Sequence, residues 1–364
     1  MAYPTTPSTA TDLLTSLPDK FERARSSGEL LFFESSSKDV HSGGRRFNVR
    51  CCPALQDKAK AKAEALASVG AEPQPKRQKQ EQKSEGAEGE PFRPPYIPEL
   101  YVGCLDGLEK EEGMSILLNK YALLPNHILL CPPTSQPQSL PPTPHQLALA
   151  YTVLVASARH PTRPRKLLAF YNGGPGAGAS QTWRHLQFIE IGSESTLPLE
   201  EWTREITFER TDRALVHPTL PYLHITHPLA FPGLKLPLQG DDEEKLVDAL
   251  APALMQCLDL GIDAVRRGNG RQDGGWNLLM TLDHLHLVPR SAPSFPLADS
   301  SLELNSLGYA GMLLVRSEEE EAALTAATQE KGLVSALEAC GVPRQWGEDA
   351  VRAAEAVQGH AEWS

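Results

Sequence analysis

Residues 166–191 read KLLAFYNGGPGAGASQTWRHLQFIEI, and this unit constrains the fold more than any other part of the chain. An apolar run, KLLAFY, leads into a loop of small residues, NGGPGAGASQ, and RHLQFIEI follows. Both flanks are predicted strands. The period-two pattern puts His185, Gln187 and Ile189 on one face of the second strand, with Leu186, Phe188 and Glu190 on the other. No Gly-Lys-[Ser/Thr] follows the loop and no clean G-x-G-x-x-G opens a helix, so neither a Walker loop nor a Rossmann turn is expected. Small residues still let backbone N–H groups come close to anionic oxygens.

The remaining chain mixes elements without strict βαβ alternation, which predicts an α+β class with a largely antiparallel sheet. At 364 residues it has room for two domains, or for one large unit with insertions. Residues 1–28 are predicted to be an amphipathic helix carrying Leu13, Leu14, Leu17 and Phe21 on one face. GELLFFESS and RRFNVRCC are strand candidates, with Ser42-Gly43-Gly44 as the hairpin turn between them. GMSILLNKYALLPNHILLC reads as a further hairpin. Thr143 and Pro144 are suited to cap and open a helix running to Ala158. DDEEKLVDALAPALMQCLDLGIDAVRR is helical, and Pro252 is expected to bend or split it. WNLLMTLDHLHLVPR and GYAGMLLVR are strand regions, and the last 45 residues or so are helical.

Residues 57–90 differ from their surroundings. They contain no aromatic residue and carry seven basic and seven acidic side chains, the composition of a disordered charged insert. Four segments follow: 1–56 as the N-terminal part of the catalytic fold, the insert at 57–90, a catalytic core at 91–240, and 241–364 completing the site and ending in helices.

Lys+Arg 35 against Asp+Glu 46 gives a net charge of −11, which argues against a nucleic-acid partner. No run of 18 apolar residues occurs, so no membrane span is expected. The six cysteines are scattered without C-x-x-C, as in a reduced, cytoplasmic protein. Lys76-Arg77-Gln78-Lys79 is basic enough to allow a nuclear location as well.

His185 beside the small-residue loop suggests covalent transfer of a phosphoryl-linked group. Imidazole is neutral near pH 7, nucleophilic, and afterwards a good leaving group. Gln187 shares the face and can bond a non-bridging phosphate oxygen. The rival constellation is His284-x-His286, which suits a metal pair, but its third strand position is Val288. His127, His224 and His227 read as turn or loop residues, and no dedicated metal site is expected.

These residues resemble the fungal-type ATP adenylyltransferases, the diadenosine tetraphosphate phosphorylases of the histidine-triad-like superfamily. FNVRCCPAL, PFRPPYIPEL, LLNKYALLPNHILL, WNLLMTLDHLHLVPR and LELNSLGYAGMLLVR resemble further family blocks, in family order. The resemblance implies a histidine-triad-like fold, a mainly antiparallel sheet flanked by helices. It implies phosphorolysis of diadenosine tetraphosphate to ATP and ADP by inorganic phosphate, through a nucleotidyl-histidine. Water replacing phosphate would make a hydrolase, and loss of chemistry would leave a nucleotide-binding protein. By the same resemblance His185 is the nucleophile and Gln187 its partner, with substrate contacts from Asn119, Lys120, Asn172, Gly178, Ala179, Ser180 and Gln181. Asn305, Ser306, Leu307, Met312 and Arg316 complete the nucleotide site, and Lys58 is matched more loosely. The implied partners are dinucleoside polyphosphates, ATP, ADP and phosphate on a monomer, with Mg2+ or another divalent cation carried by the substrate phosphates. Lys120 and Arg316 are expected to supply the local positive charge. One departure is that Trp183 and Arg184 stand where the family motif begins His-x, so rate or pH dependence is expected to differ.

Overall fold

The computed structural model describes residues 9–55, 90–107, 112–192, 196–231, 234, 236, 242–268, 270 and 274–361. The expected insert, apart from Glu90, and Lys58 lie outside the described residues. The described chain runs α1 (Ala10–Ser27), β1 (Leu31–Phe32), β2 (Ser36–Ser42), β3 (Arg45–Cys51), β4 (Tyr101–Leu105), β5 (Met114–Leu118), β6 (Tyr121–Ala122), β7 (Ile128–Cys131), α2 (Pro144–Ala158), β8 (Lys166–Gly173), β9 (Leu186–Ile191), α3 (Pro198–Thr203), β10 (Leu215–Val216), β11 (Ile225–Pro228), α4 (Asp242–Arg267), β12 (Trp276–Met280), β13 (His284–Pro289), β14 (Ser294–Pro296), β15 (Ser301–Glu303), α5 (Ser306–Tyr309), β16 (Met312–Val315), α6 (Glu318–Ala327), α7 (Val334–Cys340) and α8 (Arg344–Ala361).

A nine-stranded sheet in the order β10-β11-β13-β12-β8-β9-β7-β5-β4 forms the centre, and every neighbouring pair in it is antiparallel. This is the α+β class expected from the sequence. Strands β12 and β13 lie between β11 and β8, so residues 91–240 and 241–364 interleave in one sheet. Both faces are covered. On one, Ala169, Tyr171, Leu186, Phe188, Leu278 and Leu287 pack with Leu14 and Phe21 of α1, Leu147 and Leu154 of α2, and Leu250 and Leu254 of α4. On the other, Leu168, Phe170, Ile189, Leu279 and Val288 pack against a small sheet, β16-β3-β2, through Phe47, Val49, Leu313 and Val315. The alternation read along 186–190 thus sorts its side chains between two cores.

Local chemistry explains most element ends. Thr143 and Gln146 form a reciprocal capping box at the start of α2, with N–H···O distances of 3.2 and 3.1 Å. Gly43 and Gly44, both at positive φ, form the two-residue turn between β2 and β3. Three expectations are corrected. The first strand of that hairpin is Ser36–Ser42, and GELLFFESS contributes only the two residues of β1 and Ser36, where β2 begins. Of the bend or split expected at Pro252, the split does not occur: the 26-residue helix α4 runs through it as one element. Pro252 and Asp248, whose carbonyl loses its i+4 donor, are both exposed, so water can satisfy the freed group. LPYLHITHPL is not a loop, because Ile225–Pro228 is strand β11 and His224 is buried beside it. No helix of the described residues is long and apolar enough to cross a membrane.

Candidate active site

The face of the large sheet that carries the small sheet also bears a third apolar cluster: Phe92, Tyr96, Tyr101, Leu117, Leu129, Cys131 and Trp183. Between it and the core around Phe170 runs a polar stripe. Gln187 is paired with Leu129 on one side and Phe170 on the other, so it sits in the gap. His185, Asn172 and Asn277 continue the same face by period-two alternation and register.

His185 is 3% exposed, just ahead of β9. Its Nδ1 is 2.8 Å from the Trp183 carbonyl, an acceptor only, so Nδ1 carries the proton and donates it. Nε2 is left with its lone pair. Burial pushes the imidazole below its ordinary value, against the opposing bond to Trp183, and keeps it neutral. Phe92 covers the ring, with centroids 5.2 Å apart.

Gln187 is oriented by a residue that the sequence reading treated as part of a turn. His127 is 7% exposed, and burial pushes its pKa down to about 4. Gln187 Oε1, an acceptor 3.1 Å from His127 Nε2, places the His127 proton on Nε2, and Asn119 Nδ2 lies across the ring edge at 3.3 Å from Nδ1 and 3.4 Å from Nε2. The relay leaves the Gln187 amide N–H groups turned away from His127. The period-two pattern leading into Ile128 could have placed His127 on this face, but the Pro-Asn before it pointed to a turn.

Asn172 ties the glycine loop to the next segment. Its Oδ1 accepts from Ser306 N at 3.0 Å, Ser306 Oγ at 2.7 Å and Asn277 Nδ2 at 3.0 Å. Asn277 Nδ2 also reaches the Ala177 carbonyl at 2.9 Å, and its Oδ1 accepts from buried Arg290 at 2.8 Å. Asn277 and Arg290 lie at the two ends of the WNLLMTLDHLHLVPR block, but neither was singled out as a site residue from sequence. Asn305 caps α5 by accepting from Leu307 N at 2.9 Å. Gly178, at φ +85°, packs on this cap: a Cβ there would lie 2.8 Å from Asn305 Cβ and 2.9 Å from the Leu304 oxygen. Gly178, Asn305, Ser306 and Leu307 are therefore brought together, while Ser180 and Gln181 are exposed at the loop's far end.

The expected cations fare differently. Lys120 is half-buried in the turn after β5, next to Asn119. Arg316 follows β16 and is ion-paired to Glu320, with Nε at 3.0 Å from Oε1, so the pair brings little net positive charge. The local positive charge expected of Arg316 is thus met by a carboxylate, because the helix N-cap at Ser317 places Glu320 against it. Met312 is half-buried on β16, two strand positions from Leu314. The Trp183 indole N–H donates to the Pro132 carbonyl at 3.0 Å inside the aromatic cluster, so that donor is already engaged. Arg184 is 5% exposed and bonded to Gln136 and Gln146.

His284 and His286 share a strand, but His286 Nδ1 meets His224 Nε2 at 3.1 Å and Thr226 Oγ1 at 3.2 Å. Burial drives His224 and His286 well below the ordinary histidine value. Among the described residues no group of three or more His, Cys, Asp or Glu is placed to hold a metal ion.

Residues 4–205 match the model of the Ap4A phosphorylase N-terminal domain, and residues 218–343 match that of the ATP adenylyltransferase C-terminal domain. Two Saccharomyces cerevisiae proteins are similar in sequence. Diadenosine 5',5'''-P1,P4-tetraphosphate phosphorylase 2 is 28% identical over 274 residues, 73% of this chain and 80% of the relative. Protein APA1 is 28% identical over 247 residues, 65% of this chain and 71% of the relative. The crystal structure of yeast Ap4A phosphorylase Apa2 superposes with a TM-score of 0.67 at 24% identity, covering 91% of this chain and 98% of that one. The first of the two matching models alone spans more than half of the 364 residues, so the chain belongs to the Ap4A phosphorylase family.

Proposed function

We propose that this protein phosphorolyses diadenosine tetraphosphate to ATP and ADP, with a nucleotide carried on His185 Nε2 between two half-reactions. The observation that carries the reading is the bond from His185 Nδ1 to the Trp183 carbonyl at 2.8 Å, which leaves Nε2 as the nucleophilic edge of a neutral ring. The yeast relative named a diadenosine tetraphosphate phosphorylase supports the substrate class. Nε2 attacks the α-phosphorus of one adenylyl group. The N–P bond forms as the bond to the bridging oxygen breaks, and ATP leaves with that oxygen. An oxygen of inorganic phosphate then attacks the same phosphorus, the N–P bond breaks, and ADP leaves. The ring keeps its Nδ1 proton throughout, and the Trp183 carbonyl stabilises its transient positive charge.

Gln187 offers its amide N–H groups to a non-bridging oxygen, a donor of a kind whose removal costs about 3 kcal/mol. The backbone of residues 178–181 lines the phosphates, Asn119 and Lys120 approach from the far side, and Lys58 is assigned there by resemblance alone. Asn305, Leu307 and Met312 face the nucleoside, while Ser306, bonded to Asn172, holds that wall in place. Arg316, paired with Glu320, shapes the rim. A divalent cation such as Mg2+ fits as a companion of the substrate, since it prefers phosphate oxygens and water and spreads the polyphosphate charge when bound.

The test is incubation with diadenosine tetraphosphate, with and without inorganic phosphate, followed by chromatography of the nucleotides. ATP plus ADP appearing only with phosphate is the expected result. AMP plus ATP without phosphate would replace the reading with a hydrolase. His185→Ala is expected to lose on the order of a thousandfold or more in rate.

A further inference from the structure

Strands β8 and β9 pair up to Phe170 and Gln187, and the same register, two positions on, would bring Asn172 opposite His185. That rung is missing. The side-chain amide of Gln138 occupies its place. Gln138 Oε1 accepts from His185 N–H at 2.8 Å, and Gln138 Nε2 donates to the Asn172 carbonyl at 2.9 Å and to the His185 carbonyl at 3.4 Å. A primary carboxamide carries the same donor and acceptor as a peptide group, so it bridges two strands that have parted.

Gln138 is itself fixed at every polar atom. It is 2% exposed, its N–H donates to the Thr182 carbonyl at 2.8 Å, and its carbonyl accepts from Tyr171 Oη at 2.8 Å. Neighbouring residues extend the clamp: Arg184 N–H donates to the Gln136 carbonyl at 2.8 Å, and Pro137 bridges Trp183. Residues 136–138 thus run as a short antiparallel strip beside the segment that carries His185.

We infer that Gln138 is a positioning residue for His185. The inference rests on the reading of His185 as the nucleophile. Replacing the rung with one side chain keeps both strand ends in register while they stand apart. The backbone of His185 is then fixed on one side by Gln138, and its ring on the other by the Trp183 carbonyl. Nε2 is thereby aimed.

Two variants test this. Gln138→Met keeps the volume and removes all three side-chain bonds. Gln138→Glu keeps the bond from His185 N–H and, through its single O–H, one of the two bonds to the carbonyls of Asn172 and His185, and only while protonated, because a carboxylate would face both carbonyls; burial favours the protonated form. The first readout needs no turnover: ring nitrogen NMR of His185. The wild type is expected to show one neutral tautomer, with the proton on Nδ1, and Gln138→Met a mixture. The second readout is kinetic. Gln138→Met is expected to lose kcat on the order of a hundredfold with KM changed little, as for a nucleophile misplaced by about 1 Å. Gln138→Glu is expected to gain a new descending limb with rising pH that the wild type lacks, with activity restored at low pH. An unchanged His185 spectrum in folded Gln138→Met overturns the inference whatever the turnover. So does a loss of rate that follows only the loss of folded protein and is independent of pH in Gln138→Glu. Failure of the nucleophile reading shows separately, as full activity in His185→Ala.

Discussion

The indole of Trp183 lies in the aromatic cluster with its N–H on the Pro132 carbonyl, while its own carbonyl receives the Nδ1 proton of His185. Any residue at position 183 supplies that carbonyl, so the tautomer of His185 does not depend on which side chain stands there. The side chain that supports the site sits elsewhere, at His127. His127→Phe keeps the packing against Phe170, whose centroid is 6.1 Å away, and deletes the donor to Gln187 Oε1. The Gln187 amide is then free to rotate. One such bond is worth about 1 kcal/mol, so kcat/KM is expected to fall roughly fivefold to tenfold. A fall of that size with an unchanged melting temperature is the supporting result; an unchanged kcat/KM removes His127 from the site. His185 and Gln187 were legible because alternation and an adjacent loop mark them locally. His127 and Gln138 were not, because each acts through residues 47 to 60 positions away in the chain.

Glycine loop, β12 and α5 meet as three backbones held by few side chains. Asn172, Asn277 and Ser306 form a closed set of buried hydrogen bonds, and Gly178 lets the loop touch the Asn305 cap. Gly178→Ala adds a methyl where only a shift of Leu304 or Asn305 could make room, at a φ that L side chains rarely adopt. The cost is about 1–3 kcal/mol for the backbone alone. Because the displaced partner is the segment proposed to face the nucleoside, KM is expected to rise with the loss of stability. Denaturant unfolding beside steady-state kinetics checks this: wild-type stability with wild-type KM would mean that loop and cap are not coupled. At this scale the sequence was informative where a local rule decides, as at the Thr143 capping box and the Gly43-Gly44 turn. It failed where solvent or tertiary pairing decides. Pro252 is tolerated because it faces water, and Ser36–Ser42 becomes a strand because β3 pairs along its length.

Across the described fold, six histidines are held neutral by their surroundings. Burial is the leading cause that lowers His127, His185, His217, His224, His284 and His286 below the ordinary value of 6.5. Above pH 6.5 these groups are uncharged in both the folded and unfolded chain and cost nothing. As the pH falls below 6.5 the unfolded chain takes up protons that the folded chain refuses, so stability is lost. For His127, whose folded value is about 4, the loss is on the order of 3 kcal/mol once that pH is reached. Carboxylates do not confuse the window. Burial raises Glu205, but hydrogen bonds from Arg45 and Thr219 outweigh it and hold it below 4.5, so its contribution persists until lower pH. The net charge of −11 adds self-repulsion near neutrality, which acid relieves, so it works against this trend and cannot produce it. The sheet threads through both matched segments, so the histidines are expected to destabilise one cooperative unit. The melting temperature should be flat from pH 8 to 6.5 and fall steeply from 6.5 to 5, by more than a single histidine provides. His286→Gln, which removes one proton acceptor from the cluster with His224 while keeping polar volume, should make that fall shallower. A melting temperature that is level down to pH 5 would mean that these rings bind protons in the folded chain as readily as in water, and that the imidazoles are not sealed off as the structure has them.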